Sequence, residues 1–292
     1  MKLGVDLGGT KIEGVVLSAS GIVLAKERVA TPQTYPAIID AIADLVGRLE
    51  ATAGGHASVG LGGPGAEAAL TGRMKNSNTQ CINGEALRDD LSIQLGRQVR
   101  FSNDANCFAL SEAVDGAGAP YSSVFGVILG TGTGGGLVFN KQVLSGANGI
   151  AGEWGHTPMP NMTEGRPCYC GRKDCIETYL CGAGLVHSYR NAGGESLSAP
   201  EIVKCATGGD AQAAAVIDNY CRQLASALAV VINIVDPDVI VLGGGLSNIA
   251  MLYETVPQYW CNYVFSDQCV TKLLPAKYGD SSGVRGAAWL WG

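Results

Sequence analysis

A glycine-centred segment occurs twice in this chain, and a chain that carries it twice has few folds open to it. Residues 3–17 align without a gap on residues 125–139, with Gly4/Gly126, Val5/Val127, Leu7/Leu129, Gly8/Gly130, Gly14/Gly136 and Val16/Val138 identical. Each copy reads as a buried apolar strand, a turn of small residues and a second strand, which is the pattern of a β-hairpin. Two such hairpins predict two related α/β halves, and 292 residues suit two packed units better than one. The halves are expected at 1–110, the smaller, and 111–279, the larger, with a C-terminal helix at about 280–292 packing back on the first.

Between the hairpins the signals are those of mixed α/β structure. Residues 36–49 place apolar side chains at Ile38, Ile39, Ile42, Leu45, Val46 and Leu49, a helical spacing. Residues 59–61 and 99–102 read as short strands, and 105–114 as a helix opening just after Asn103 and Asp104. Further on, 201–235 reads as largely helical, 239–242 as a strand, and the following glycines lead towards another helix. Hydrophobic residues make up 47% of the chain and charged ones 16%, enough for a large core. No apolar run reaches the ~20 residues that span a bilayer, and the first residues lack the apolar stretch of a secretion signal. A cytoplasmic protein with no membrane partner is expected. The net charge of −6 argues against nucleic acid as a partner.

Asp6 precedes a turn of Gly8, Gly9, Thr10 and Lys11, where backbone N–H groups and a hydroxyl can approach a phosphate closely. A carboxylate beside phosphates implies a cation between them, most often Mg²⁺. In the second hairpin, Gly130, Thr131, Gly132, Thr133 and Gly134 formally match a dinucleotide fingerprint, but they run into a strand instead of opening a helix, so a phosphate-gripping hairpin fits better. Gly243, Gly244 and Gly245 follow a strand and could let an adenine-ribose lie against backbone. Cys168, Cys170 and Cys175 with His156 supply three thiolates and an imidazole, the set that closes a structural Zn²⁺ site. Asp104 stands where a helix N-cap would stand. Beside Asn103 and Asn106, and in a chain with two phosphate hairpins, it is also placed to take a proton from a sugar hydroxyl. Glu153, His156 and Glu177 offer further acceptors for hydroxyl groups.

Together these motifs resemble the ROK family (repressors, unassigned reading frames and sugar kinases) over essentially the whole chain. The resemblance rests on the motif at 6–11, Asn103-Asp104-Ala105-Asn106, the hairpin at 130–136, Gly152-Glu153-Trp154-Gly155-His156, the cysteine cluster with Glu177, and Asp236-Pro237-Asp238 leading into Gly243-Gly244-Gly245. Pro167-Cys168-Tyr169-Cys170-Gly171 and the segment 277–286 look most like the bacterial fructokinase/mannokinase branch, with N-acetylglucosamine kinases as close relatives. The resemblance implies an α/β, two-domain actin/hexokinase-like (ribonuclease H-like) fold closing over a cleft, and ATP with Mg²⁺ held between the hairpins. It implies Asp104 as general base, with Asn103, Asp104, Glu153, His156 and Glu177 on the sugar. It also implies a structural Zn²⁺ on His156, Cys168, Cys170 and Cys175, and a homodimer. The expected activity is ATP-dependent phosphorylation of the 6-hydroxyl of a free hexose, fructose first and mannose next. N-acetylglucosamine kinase or glucokinase is the alternative, and a non-catalytic sugar-sensing regulator is the alternative of another class.

Overall fold

A computed structural model of the chain describes residues 1–292, the side chain of Asp280 excepted. The first elements in chain order are β1 (Lys2–Leu7), β2 (Lys11–Leu17), β3 (Val23–Ala30), α1 (Tyr35–Ala53), β4 (Ser58–Gly63), β5 (Ala66–Glu67), β6 (Met74–Lys75), α2 (Leu87–Leu95), β7 (Val99–Asn103) and α3 (Asp104–Val114). There follow β8 (Ser123–Leu129), β9 (Thr133–Phe139), β10 (Gln142–Val143), α4 (Glu177–Leu180), α5 (Gly182–Asn191), α6 (Ala199–Thr207), α7 (Ala211–Val235), β11 (Val239–Gly243), α8 (Met251–Trp260), β12 (Lys272–Pro275) and α9 (Ser282–Trp289).

The internal repeat is structural. Shifted by the offset of the alignment, the facing ends of β1 and β2 at Leu7 and Lys11 fall on those of β8 and β9 at Leu129 and Thr133. The two five-stranded sheets also run in the same order: β3-β2-β1-β4-β7 in one and β10-β9-β8-β11-β12 in the other. The chain divides into two compact units.

The first unit comprises Met1–Ser122, Gly136–Ala151 and Lys277–Gly292. In its sheet β1, β2 and β3 are antiparallel, while β4 and β7 lie parallel to β1. Val5 pairs with Gly14, so both face one side, and there Gly14 lies under Leu45 and Leu49 of α1. The apolar stripe predicted for 36–49 is buried as expected, and burying each such side chain contributes about 1.5–3 kcal/mol. The helix extends beyond that stripe to Ala53, where Gly54 adopts a left-handed conformation and closes it. On the opposite face α9 lies directly on backbone. A Cβ on Gly4 would stand 2.0 Å from the Val284 carbonyl, and one on Gly60 1.9 Å from that of Ala287. The fully buried Glu112 near the end of α3 ties this layer together, accepting from Ala117 N at 2.9 Å, Lys277 N at 3.0 Å and Ser282 Oγ at 2.8 Å.

The second unit comprises Ser123–Gly135 and Gly152–Ala276. Its strand β11 runs parallel to both β8 and β12, and all five of its residues are buried. The helical segment expected at 201–235 is two helices, α6 and α7, parted at Gly208–Asp210. Asp210 caps α7 by accepting Ala213 N at 2.7 Å, so the break is an N-terminus set by sequence. By length and composition α7 could cross a membrane, but 67% of its apolar window is buried in the protein. Its apolar character is that of a core helix.

Candidate active-site residues and metal centre

In the first unit the sheet register gathers the expected residues at one edge. Asp6 of β1 pairs with Gly62 of β4, and Gly63 with Asn103 of β7, so the carboxyl ends of three parallel strands carry Asp6, the Gly62-Gly63 pair and Asn103-Asp104. Ligands of α/β sheets bind at such ends. The turn after β1 is closed by Gly8 N donating to Lys11 O at 2.9 Å. It is anchored by Thr31, whose Oγ1 donates to Gly8 O at 2.7 Å and whose N donates to Thr10 O at 3.1 Å.

The cap of α3 is Asn103, whose Oδ1 accepts Asn106 N at 2.8 Å. Asp104 is therefore the first helical residue and not the cap, and its Oδ1 accepts Ala105 N at 2.8 Å. Its side chain is open to solvent, yet protein surrounds it densely enough that desolvation raises its carboxyl above the ordinary value, against the opposing backbone hydrogen bonds. Asp6 is pushed up to about 6, by burial first and then by the charges of Asp104 and Glu13, with Lys11 and Arg28 opposing. One turn into α3 the buried Cys107 thiol is held well above its usual range by burial and by the same two aspartates, Asp6 and Asp104.

A carboxyl that binds its proton more tightly in the fold than in the unfolded chain weakens the fold as pH rises. Between 3.8 and about 6 the native state holds more protons on Asp6, so stability falls across that window and the cost is complete above it. Asp6→Asn should therefore raise the thermal midpoint at pH 7.5 by a few degrees, on the order of 1–2 kcal/mol, with a smaller gain at pH 5. Melts of both proteins at the two pH values check this, and an equal difference at both would contradict it.

In the second unit the glycine hairpin is pinned from several sides. Gly130 N donates to Gly132 O at 2.9 Å and Gly182 N, at the start of α5, to Gly130 O at 2.8 Å. Trp154 Nε1 donates to Gly134 O at 3.2 Å, and Thr133 N donates to Glu177 Oε2 at 2.9 Å. Gly243 ends β11 opposite Ile128, and Gly244 lies against the Leu129 backbone, so the third glycine motif meets the base of the hairpin. Gly245 opens a 3₁₀ turn, with α8 beginning only at Met251. The segment carrying Glu153 and His156 lies on β9. A Cβ on Gly155 would be 2.0 Å from Thr133 O, and Trp154 meets Phe125 edge-on at 5.6 Å.

His156, Cys168, Cys170 and Cys175 converge, with ligand atoms all within 4.8 Å of one another. His156 Nδ1 is 3.5 Å from Cys168 Sγ, and the Sγ atoms of Cys170 and Cys175 are 3.6 Å apart. Tetrahedral bonds of ~2.3 Å hold sulfurs about 3.8 Å apart, so the four donors fit one tetrahedral ion. Burial and then the neighbouring Cys170 and Cys168 sulfurs push the Cys175 thiol up to about 12, so binding as thiolate calls for a cation among the sulfurs. The other ring nitrogen of His156 meets Tyr169 Oη at 2.9 Å. A cavity of about 220 Å³ touches Thr131 of the hairpin, Cys168, Tyr169 and Glu177.

The predicted residues thus form two sets. Asp6, Gly8 to Lys11, Asn103 and Asp104 gather in the first unit, and Gly130 to Gly134, Glu153, His156, the three cysteines, Glu177 and Gly243 to Gly245 in the second. Sequence reasoning left out Gly62 and Gly63, for which glycines at a strand end were the available signal, and Thr31, for which there was none.

The chain matches the ROK family over residues 2–292. It is 44% identical over 299 residues to an N-acetyl-D-glucosamine kinase of Photobacterium profundum, covering 99% of each, and 42% identical over the same span and coverage to one of Aliivibrio fischeri. Among solved structures it resembles the ROK hexokinase from Thermus thermophilus, with a TM-score of 0.88, 31% identity, and coverage of 99% of this chain and 97% of that one. It also resembles a ROK family glucokinase from Streptomyces griseus in complex with glucose and AMPPNP, with a TM-score of 0.78, 28% identity, and coverage of 98% and 97%. The α/β, actin/hexokinase-like fold expected from the motifs is the fold these comparisons support. With the doubled hairpin, the matched strand order and a match along nearly its whole length, the chain belongs to the ROK family.

Proposed function

We propose that the chain is an ATP-dependent N-acetyl-D-glucosamine kinase that phosphorylates the sugar's 6-hydroxyl. The observation that carries the choice of sugar is that relatives of this name match at 40–44% identity over 99% of both chains. The fructokinase/mannokinase expectation gives way to this alternative because the relatives described above carry the N-acetyl-D-glucosamine kinase name. The segments that suggested it build scaffolding: 167–171 turns the metal loop, and 277–286 clamps Glu112 and lies on the sheet.

In this reading Asp104 accepts the proton of the 6-hydroxyl as that oxygen forms its bond to the γ-phosphorus and ADP departs. A pKa raised towards working pH makes it a stronger base than an ordinary carboxylate. The N–H groups of the two hairpins bind phosphate oxygens, and Asn103, Glu153, His156 and Glu177 take the sugar's other hydroxyls. The mutual repulsion of Asp6 and Asp104 suits a cation, and Mg²⁺ on Asp6 would neutralise charge on the phosphates. Zn²⁺ on His156, Cys168, Cys170 and Cys175 would serve structure only, since four protein ligands leave no open position. The proposed functional halves are 1–110 with the C-terminal helix, and 111–279, of which 111–122 and 136–151 pack with the first unit, in a cytoplasmic enzyme.

Coupled assays of ADP release with Mg-ATP and N-acetylglucosamine, glucose, mannose or fructose test this. N-acetylglucosamine should lead in kcat/KM by at least ~10-fold, the discrimination that contacts to one substituent supply. Fructose in the lead would remove the sugar assignment. Sugar binding with no ADP from any of the four would leave a sensor instead of an enzyme.

A further inference from the structure

Glu177 does something in the second unit that a sugar contact does not require. Its Oε2 accepts the Thr133 N–H at 2.9 Å, and a Cβ on Gly132 would stand 2.6 Å from the same oxygen, so the carboxylate is seated against the hairpin backbone. Thr133 is buried while Thr131 is exposed, which puts the Thr133 N–H on the inner side of the turn. Without Glu177 that N–H would be a buried donor lacking a partner, a loss of ~1–3 kcal/mol, more to a charged acceptor than to a neutral one. Glu177 is also joined to the metal-binding loop. It lies just beyond Cys175, across the buried Ile176, whose N–H donates to Thr157 O at 2.9 Å next to His156. The cavity at 131, 168, 169 and 177 runs along the same path.

We propose that Glu177 is a positioning residue for the nucleotide hairpin: it props the inner side of the Gly130–Gly134 turn and makes its shape depend on the metal-binding loop. The proposal rests on the reading that this hairpin binds ATP phosphates. With the Thr133 N–H held inward, the N–H groups of Thr131 and Gly132 are left for phosphate. When the four-ligand loop is ordered, Glu177 is held at the height that keeps them so. The coupling passes through Cys175-Ile176-Glu177 and needs no change in the sheet.

Calorimetric titration of a Mg-bound non-hydrolysable ATP analogue, without sugar, tests it on wild type, Glu177→Gln and Glu177→Ala, each zinc-loaded and after chelation. Zinc content and melting curves are measured on the same samples. Glu177→Ala should bind the analogue about 10-fold more weakly than wild type, with Glu177→Gln between them because a neutral acceptor keeps its shape. Chelation should weaken wild type to a similar degree and add little in Glu177→Ala. Binding within twofold of wild type in both variants would assign Glu177 to the sugar alone and overturn the proposal. So would tighter binding, which would make the carboxylate a stand-in for phosphate, and so would chelation losses that add in full. If wild type binds no analogue at all, the nucleotide reading itself fails and the inference falls with it, an outcome distinct from a variant that matches an active wild type.

Discussion

Turnover by Asp104→Asn should fall by ~10²–10⁴-fold if Asp104 is the base, the share of rate that a positioned general base supplies. The substitution is nearly isosteric, and its side-chain oxygen can still accept the Ala105 N–H that Asp104 Oδ1 accepts. The cap of α3 is untouched, because Asn103 and not Asp104 provides it. The far end of the helix remains clamped by Glu112. Sugar KM and nucleotide affinity should therefore stay within a few-fold of wild type while kcat collapses, the split expected when an interaction made only in the transition state is removed. The pH profile carries the same signature. Wild-type kcat/KM should climb as pH rises through the raised pKa of Asp104, because only the ionised carboxylate can take the proton. Removing the charge at 104 also removes one cause of Asp6's high pKa, so the Asp6 effect on stability should shrink in the Asp104→Asn background. Steady-state kinetics with N-acetylglucosamine across pH 5 to 9 check all of this, and a variant with near wild-type kcat would hand the base role to another residue.

The hairpins were legible because their signal is local. Small residues between two apolar strands leave little choice but a turn, and the same string twice sets a second hairpin at the same bounds. Helix α1 was legible for its apolar stripe. The cysteine cluster was legible because three sulfurs and an imidazole so close in sequence make a metal-ligand set, and the fold brings those atoms within 4.8 Å of one another. Other features needed pairings that periodicity does not carry. Asn103 and Asp104 compete for one cap, and the winner depends on where β7 leaves the sheet. Glu112 binds a segment more than 160 residues away, and Glu177 a hairpin 44 residues earlier. Nothing in the sequence near Glu112 or Glu177 names those partners. The choice of sugar was least legible of all, since the shape of a pocket depends on side chains far apart in sequence and no local motif spells it out.

Removing the proposed zinc from its four donors should be the most damaging single change to the stability of the second unit. The loop from His156 to Cys175 contains little regular structure: a 3₁₀ turn at Trp154–His156, isolated bridges between Pro158 and Cys175 and between Pro167 and Lys173, and turns such as Cys168 N to Arg172 O at 2.9 Å. A segment that buries so little regular backbone cannot offset ~1–2 kcal/mol of lost entropy per residue by itself. A metal ion among its four donors can, and losing a structural metal belongs to the few causes of destabilisation above ~4 kcal/mol. Cys175→Ser should therefore abolish zinc content and lower the thermal midpoint by roughly 10 °C. Cys261→Ser, an exposed cysteine outside the cluster, should change neither. Sugar affinity should fall with the metal, because His156 offers Nδ1 to the cluster and its ring orientation is set there. Elemental analysis with melting curves of freshly purified protein decides the matter: a wild type that holds no zinc, yet melts as high as the same protein given zinc, would leave the four donors as crowded thiols and withdraw the clamp from the second unit.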